Sequence, residues 1–337
     1  MQAETTRAQT LAVVVPVYSG QDYLAELVDE LASVKSAWEQ AGAPISLVEA
    51  IFVDDCSRDR SLTVLRELEE QHSWVRVVTL SRNFGQHPAT VAGVLHSSAD
   101  WIATLDEDLQ HPPERIEELL RAAVFDERDV VYAHPKEHVH QSAVRDLGSR
   151  GYKGLLALLT GNKHIRSFNS FRLLRGSVAR AAASVCGHET YFDIAIGWFT
   201  NAIGQIDLDI KDRRMIAGAR SGYSIWRLLS HARRLIVSSQ TKTLRIGGAV
   251  GVVAILIAFV MAINTLVNRY TGTAELVQGW ASTFLAILFF GGVSCFLLGV
   301  LLEYVTSVLL HAQGKPTYFA VDRTGDRTLR EYFEDRS

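Results

Sequence analysis

Cysteine is scarce in this chain. Its 337 residues hold three, Cys56, Cys186 and Cys295. They lie far apart, are odd in number and form no C-x-x-C pair. That excludes a disulfide framework and a zinc ribbon, and it fits a reducing compartment for the polar part of the chain. Charge of one sign is lacking as well. Lys and Arg total 34 against 37 Asp and Glu, a formal net charge of −3, which excludes a strongly basic nucleic-acid binder. Hydrophobic residues are 48% and charged residues 21%, too apolar a balance for a disordered chain. The first ten residues contain no apolar signal-peptide core, so the N-terminal unit is expected on the cytosolic side. No Walker loop, H-E-x-x-H or G-x-S-x-G occurs.

Up to about residue 245 the chain instead reads as an α/β protein. Residues 11–17 form a β-branched run, read as a buried parallel strand that ends at Pro16. Strands are also predicted over 48–53, 75–80 and 101–105. Helices are predicted over 23–38, 61–71, 88–97 and 114–124, the last opened by Pro112 and Pro113. This alternation points to a doubly wound, mostly parallel sheet with right-handed crossovers. Ligands of such sheets sit beyond the carboxyl ends of the strands. Tyr18, Asp54, Asp55, Asp106 and Asp108 all fall at those ends.

Two uncharged runs, 246–267 and 280–302, exceed the roughly 20 residues that a bilayer requires. Arg227, Arg233, Arg234, Lys242 and Arg245 precede the first run, and Lys315, Arg323, Arg327 and Arg330 follow the second. The positive-inside rule then puts both ends of a two-span hairpin in the cytoplasm. Between 223 and 240, apolar residues recur at helical spacing among basic ones. That segment reads as an amphipathic helix in the membrane interface or as a surface helix packed on the soluble domain. The resulting division is a cytosolic α/β unit over 1–220, an interface helix over 221–245, a transmembrane hairpin over 246–310 and a cytosolic tail over 311–337. Glycines at 247, 248, 251, 291, 292 and 299 allow close helix contacts, within one chain or in a homo-oligomer.

Asp106-x-Asp108 after a strand is a candidate site for Mg²⁺ or Mn²⁺, hard cations that take carboxylates and bridge to substrate phosphates. Glu107 between them is expected to face elsewhere. Asp54 and Asp55 suit a base N–H or a ribose hydroxyl, or else a cap on the next helix. Asp59 reads as a local cap. Arg82 suits a pyrophosphate, and Gly85 allows close backbone approach. Arg213, Arg214 and Arg220 suit an anionic head group or phosphate, or serve only as positive-inside charge. His134, His138 and His140 read as solvated loop histidines.

V-V-P-V-Y at 14–18, V-D-D-C-S-R-D at 53–59, L-S-R-N-F-G-Q-H at 80–87 and D-E-D-L-Q-H-P-P at 106–113 resemble glycosyltransferase family 2, with the GT-A fold. Ser221-Gly-Tyr-Ser224, the two apolar runs, Leu302-Glu-Tyr304 and Lys315-Pro-Thr-Tyr-Phe319 resemble its polyprenyl-phosphate branch. That branch includes dolichol-phosphate mannose synthases, bactoprenol glucosyltransferases and undecaprenyl-phosphate aminoarabinose transferases. The resemblance implies an inverting, metal-dependent enzyme of a bacterial-type inner membrane. It would move a sugar from a nucleotide sugar to polyprenyl phosphate for cell-envelope glycan modification. UDP is the first candidate nucleotide, with GDP and dTDP the others. Carried over by residue, Pro16, Tyr18, Asp54, Asp55, Arg82 and Gln110 would bind the nucleotide sugar. Asp106 and Asp108 would hold the metal, and Arg213 or Arg214, with Arg220 and Ser221, would meet the acceptor phosphate. The chain departs from the pattern at Ser19-Gly20, where Asn-Glu is usual, and at Gly222, where Lys is usual. Two other readings follow from the same domain. One is transfer to a hydroxyl, with Asp193 or Glu189 as base; the other is a silent nucleotide-sugar-binding membrane protein.

Overall fold

The computed structural model describes residues 8–135, 168–187, 190–208, 280–312 and 316–320, with single positions at 260, 263, 267, 270 and 271. In chain order the elements are β1 (Gln9–Val17), α1 (Leu24–Gln40), β2 (Ile45–Asp54), α2 (Ser61–Gln71), β3 (Val75–Thr79), α3 (Gln86–His96) and β4 (Trp101–Thr104). There follow α4 (Ile116–Phe125), β5 (Val130–Pro135), β6 (Arg172–Arg175), α5 (Gly176–Ser184), α6 (Phe192–Phe199), β7 (Ile203–Leu208) and the long α7 (Trp280–Ala312).

The seven strands form one sheet in the order β3-β2-β1-β4-β6-β5-β7. The pairs β1/β2, β1/β4, β2/β3 and β5/β7 are parallel, while β6 runs antiparallel to β4 and β5. The sheet is thus mixed. Both faces are covered, which is why β1 reads as a nearly unbroken apolar run. Leu11, Val13, Val15 and Val17 pack on one face with α1, α2 and α4, through Leu24, Leu27, Leu31, Leu65, Ile116 and Leu119. Val14 faces the other side with α3, α5 and α6, through Val91, Val94, Ala179, Phe192 and Ile196.

Two predicted boundaries shift for physical reasons. β1 does not stop at Pro16 but continues to Val17, pairing with β2 up to Val17↔Asp54. Its pairing with β4 ends at Val14↔Thr104, so the missing N–H of Pro16 falls past the end of that neighbour and breaks no ladder bond. α3 begins at Gln86, which places Pro88 in the first turn, where a proline is tolerated. His134, expected in a loop, lies on β5; His138 and His140 are outside the described residues.

α7 differs in kind from the other helices. Its window Phe289–Thr306 has mean hydropathy 1.7 and no buried residue, and it is the one helix among the described residues long and apolar enough to cross a membrane. Val260, Ile263 and Val267 in the first apolar run are helical and exposed. The interface helix and the rest of that run lie outside the described residues. After α7 the chain returns to the sheet domain. Ala320 bridges Leu80, the N–H of Ser81 donates to the Phe319 carbonyl (2.9 Å), and the Thr317 hydroxyl donates to the Cys186 carbonyl (3.1 Å).

Candidate active site

Three parallel strands, β1, β2 and β4, deliver their C-terminal ends to one rim. There the turns after β2 and β4 adopt left-handed backbone at Cys56 (φ 58°) and Leu109 (φ 58°). Non-glycine residues accept this at a cost of roughly 1–2 kcal/mol, and such positions cluster at functional sites. Two cavities open at the rim. One, of about 450 Å³, lies against Tyr18, Asp55, Asn83, Asp108 and Gln110. The other, of about 470 Å³, lies against His87, Asn169, Arg172, Tyr191 and Asp193. Pro16, Gly85, Gln86 and Asp106 line both, so Asp106 stands at their shared wall.

Asp106 is held on three sides. The Gln86 side-chain amide donates to its Oδ1 (2.7 Å) and the Ser170 hydroxyl to its Oδ2 (2.8 Å). Its own N–H donates to Nδ1 of His111 (3.1 Å). Burial pushes the His111 imidazole down against the pull of Asp106 and Asp108, so it stands neutral at pH 7 and stacks on Phe171. All three groups are neutral, so none of these bonds brings a positive charge to Asp106. Asp108 is nearly buried and accepts from the N–H and side-chain amide of Gln110 (3.3 and 3.1 Å). Two hard carboxylates on one turn, beside a cavity large enough for a diphosphate, fit a divalent cation of the Mg²⁺ or Mn²⁺ type.

Asp55 carries out a task that the sequence did not disclose. Its carboxylate accepts the N–H groups of Phe84 (2.7 Å) and Gly85 (2.7 Å), pinning the loop after β3 to the rim. Gly85 has φ 98° at the start of α3, a conformation suited to glycine. Burial raises the Asp55 carboxyl above its ordinary value despite those bonds. Asp54 lies deeper and does not line either cavity. It accepts from the N–H and hydroxyl of Ser57, and burial raises its carboxyl too. Arg82 is exposed, stacks over Phe84 at 4.4 Å and lines neither cavity. Tyr18, with Arg58 over its ring, and Gln110 line the first cavity.

Glu107 does not face elsewhere. Its carboxylate turns back across the rim and accepts the N–H groups of Tyr18 (2.9 Å) and Ser19 (3.2 Å). Gln86 and His111 fall inside motifs visible in the sequence, whereas Ser170 carries no sequence signal.

The second cavity has a different chemistry. Asp193 is 3% exposed, forms an ion pair with Arg172 and accepts from the Tyr132 hydroxyl (2.7 Å). Burial opposes the Arg172 charge, but Asp193, Tyr132 and Tyr191 together outweigh it and hold the guanidinium protonated. Both contacts fall on Oδ1, which is thereby committed; Glu189, the other candidate base, lies outside the described residues. Tyr191 meets His87 edge-on at 3.9 Å and stacks with Phe168 at 6.4 Å, giving the cavity an aromatic wall. Burial pushes the Cys186 thiol up to about 12, so it is an inert packing group. Arg213, Arg214, Arg220 and Ser221 lie outside the described residues.

Residues 12–181 match Glycosyl transferase family 2. An undecaprenyl-phosphate 4-deoxy-4-formamido-L-arabinose transferase of Edwardsiella ictaluri is 32% identical over 314 residues, spanning 92% of this chain and 93% of that protein. A protein of the same description from Yersinia enterocolitica is 30% identical over 319 residues and 94% of each chain. Among solved structures, glucosyl-3-phosphoglycerate synthase of Mycobacterium tuberculosis, in complex with Mn²⁺, UDP-glucose and phosphoglyceric acid, aligns with a TM-score of 0.50. Its identity is 17%, over 71% of this chain and 82% of that one, which shows a common fold.

Proposed function

The chain belongs to glycosyl transferase family 2 and is a glycosyltransferase; from that premise we propose that it transfers a sugar from a nucleotide sugar to polyprenyl phosphate, undecaprenyl phosphate first. The observation that carries the reading is the pair of cavities meeting at Asp106, one carboxylate-lined and one aromatic. The end-to-end similarity to undecaprenyl-phosphate transferases supports the acceptor.

In this account the first cavity takes the nucleoside diphosphate, with Pro16, Tyr18 and the loop that Asp55 anchors as its walls. Asp106 and Asp108 would hold a divalent cation, Mg²⁺ or Mn²⁺. When bound, it supplies positive charge opposite the leaving diphosphate. Gln86 and Ser170 fix the direction of the Asp106 oxygens before substrate arrives, so little reorganisation is left for the reaction itself. The sugar extends into the second cavity against Tyr191 and His87. A lipid phosphate oxygen attacks the anomeric carbon, the bond to the diphosphate breaks, and the nucleoside diphosphate leaves with the electron pair. In-line attack inverts the anomeric centre. The acceptor is already anionic, so no base is required, which agrees with the pairing of Asp193 to Arg172. Arg213 or Arg214, together with Arg220 and Ser221, is assigned to the acceptor phosphate.

α7 supports a membrane arrangement. An apolar side chain such as Leu302 (64% exposed) or Val308 (68% exposed) forgoes about 1.5–3 kcal/mol while it faces water. Lipid removes that cost. Residues 316–320 touch the sheet domain, so the C-terminal end of α7 lies on that domain's side. If α7 crosses the bilayer it begins on the far side, and the proposed first span over 246–267 would bring the chain there. On this reading it is a two-span protein of a bacterial-type inner membrane, with the catalytic domain and both termini cytoplasmic. The glycines of the spans leave room for a homo-oligomer.

The test is transfer in detergent from a panel of labelled UDP-, GDP- and dTDP-sugars to undecaprenyl phosphate, with and without EDTA. Label entering the lipid from one donor, and stopping with EDTA, is the expected result. Bound nucleotide without transfer from any donor contradicts the reading and favours a silent sensor.

A further inference from the structure

We propose that Glu107 is a positioning residue: its carboxylate clasps the loop after β1 to the Asp106-Asp108 turn and so sets the span of the first cavity. Four consecutive backbone N–H groups, 18 to 21, are each held by a side chain from another part of the rim. Glu107 accepts those of Tyr18 (2.9 Å) and Ser19 (3.2 Å). Ser61 Oγ accepts that of Gly20 (2.9 Å), and Asp59 Oδ2 that of Gln21 (3.3 Å). The Ser61 hydroxyl in turn donates to Asp59 Oδ1 (2.6 Å). The loop therefore makes no ladder of its own here and takes its shape from what grips it.

Gly20 is the other half of the clasp. It is buried, and a Cβ there would fall 2.7 Å from Glu107 Oε2 and 3.2 Å from Glu107 Cβ. Any side chain at position 20 must displace the carboxylate. Because Glu107 lies between Asp106 and Asp108 in the chain, its grip on Tyr18 and Ser19 ties the two carboxylates to the opposite wall. Losing it lets the walls move apart. The consequence for nucleotide affinity rests on the functional reading above; the clasp itself does not.

The test uses the full-length chain in detergent with Glu107→Gln, Glu107→Ala, Gly20→Ala and the double variant Gly20→Ala/Glu107→Ala. Hydrogen exchange at amides 18 and 19 is followed beside the donor KM and kcat. Glu107→Ala and Gly20→Ala are each expected to speed exchange at both amides. Each should raise the donor KM roughly tenfold, the worth of one charge-assisted bond, with a smaller change in kcat. Glu107→Gln keeps one acceptor and falls between. The double variant is no worse than either single one, because both remove the same contact. Unchanged exchange in Glu107→Ala, or additive effects in the double variant, overturns the proposal. If the wild-type chain binds no nucleoside diphosphate, the functional reading fails, and the exchange measurement still decides the clasp.

Discussion

The two cavities that meet at Asp106 are similar in volume and opposite in electrostatics. The first gathers Asp55, Asp106, Glu107 and Asp108, and the groups that hold Asp55, Asp106 and Glu107 are neutral backbone or side-chain donors or a neutral imidazole. None of those holding groups carries a positive charge. The second shares Asp106 at the common wall but pairs its own carboxylate, Asp193, with Arg172 and surrounds the pair with Tyr132, Phe168, Tyr191 and His87, so the charge of that pair is settled within the protein. A space with excess negative charge suits a cation carrying a diphosphate. A space with settled charge and an aromatic wall suits an uncharged sugar ring.

That contrast can be broken most sharply at Asp108. Asp108→Ala should leave the fold intact and lower kcat by about a thousandfold, as expected for loss of a preorganised charged group at the leaving diphosphate. Turnover near wild type would remove the first cavity from the chemistry. Asp193→Asn probes the other side. It strands the buried Arg172 charge and should destabilise the domain by about 3–5 kcal/mol, read as a fall in unfolding midpoint. A large loss of kcat at unchanged stability would instead mark Asp193 as a base and erase the contrast. Asp55→Asn turns an amide toward two backbone donors. The expected cost is about 1–3 kcal/mol of stability, with a raised donor KM as the loop at 81–85 loosens.

The smallest expected effect is in pH dependence. Burial raises the carboxyls of Asp54 and Asp55 above the ordinary 3.8, so the folded state binds their protons more tightly than the unfolded chain. The contribution of each to stability is fullest below pH 3.8 and is lost as pH rises through the raised value. Asp54→Asn should flatten that fall in a series of denaturant titrations. An unchanged slope would mean that Asp54 titrates as it does in the unfolded chain.

The first half of the catalytic domain was legible because its signals are local. β1 to β4 are β-branched runs, and α1 buries Leu24, Leu27, Val28 and Leu31 at helical spacing. The acidic ends of β2 and β4 mark the rim directly. The second half was not legible. β6 has four residues, Arg172–Arg175, bounded by arginines, and it runs antiparallel between β4 and β5. No short-range pattern encodes that placement. Nor could spacing show that Asp55 would serve Phe84 and Gly85, 29 and 30 residues away, or that Glu107 would cross to Tyr18 and Ser19. Both are long-range bonds made after the sheet brings its strand ends together. Ser170 reaches Asp106 for the same reason.

The most direct measurement of the central claim compares two acceptors that differ only in the phosphate. Detergent-solubilised protein would be given the labelled nucleotide sugar it binds best, with Mn²⁺, and either undecaprenyl phosphate or undecaprenol. Label entering undecaprenyl phosphate alone, as an alkali-stable, acid-labile lipid, is the outcome that an anionic acceptor and a committed Asp193 require. Equal or preferential labelling of undecaprenol would contradict the account, because a neutral hydroxyl needs a base and an anionic phosphate does not.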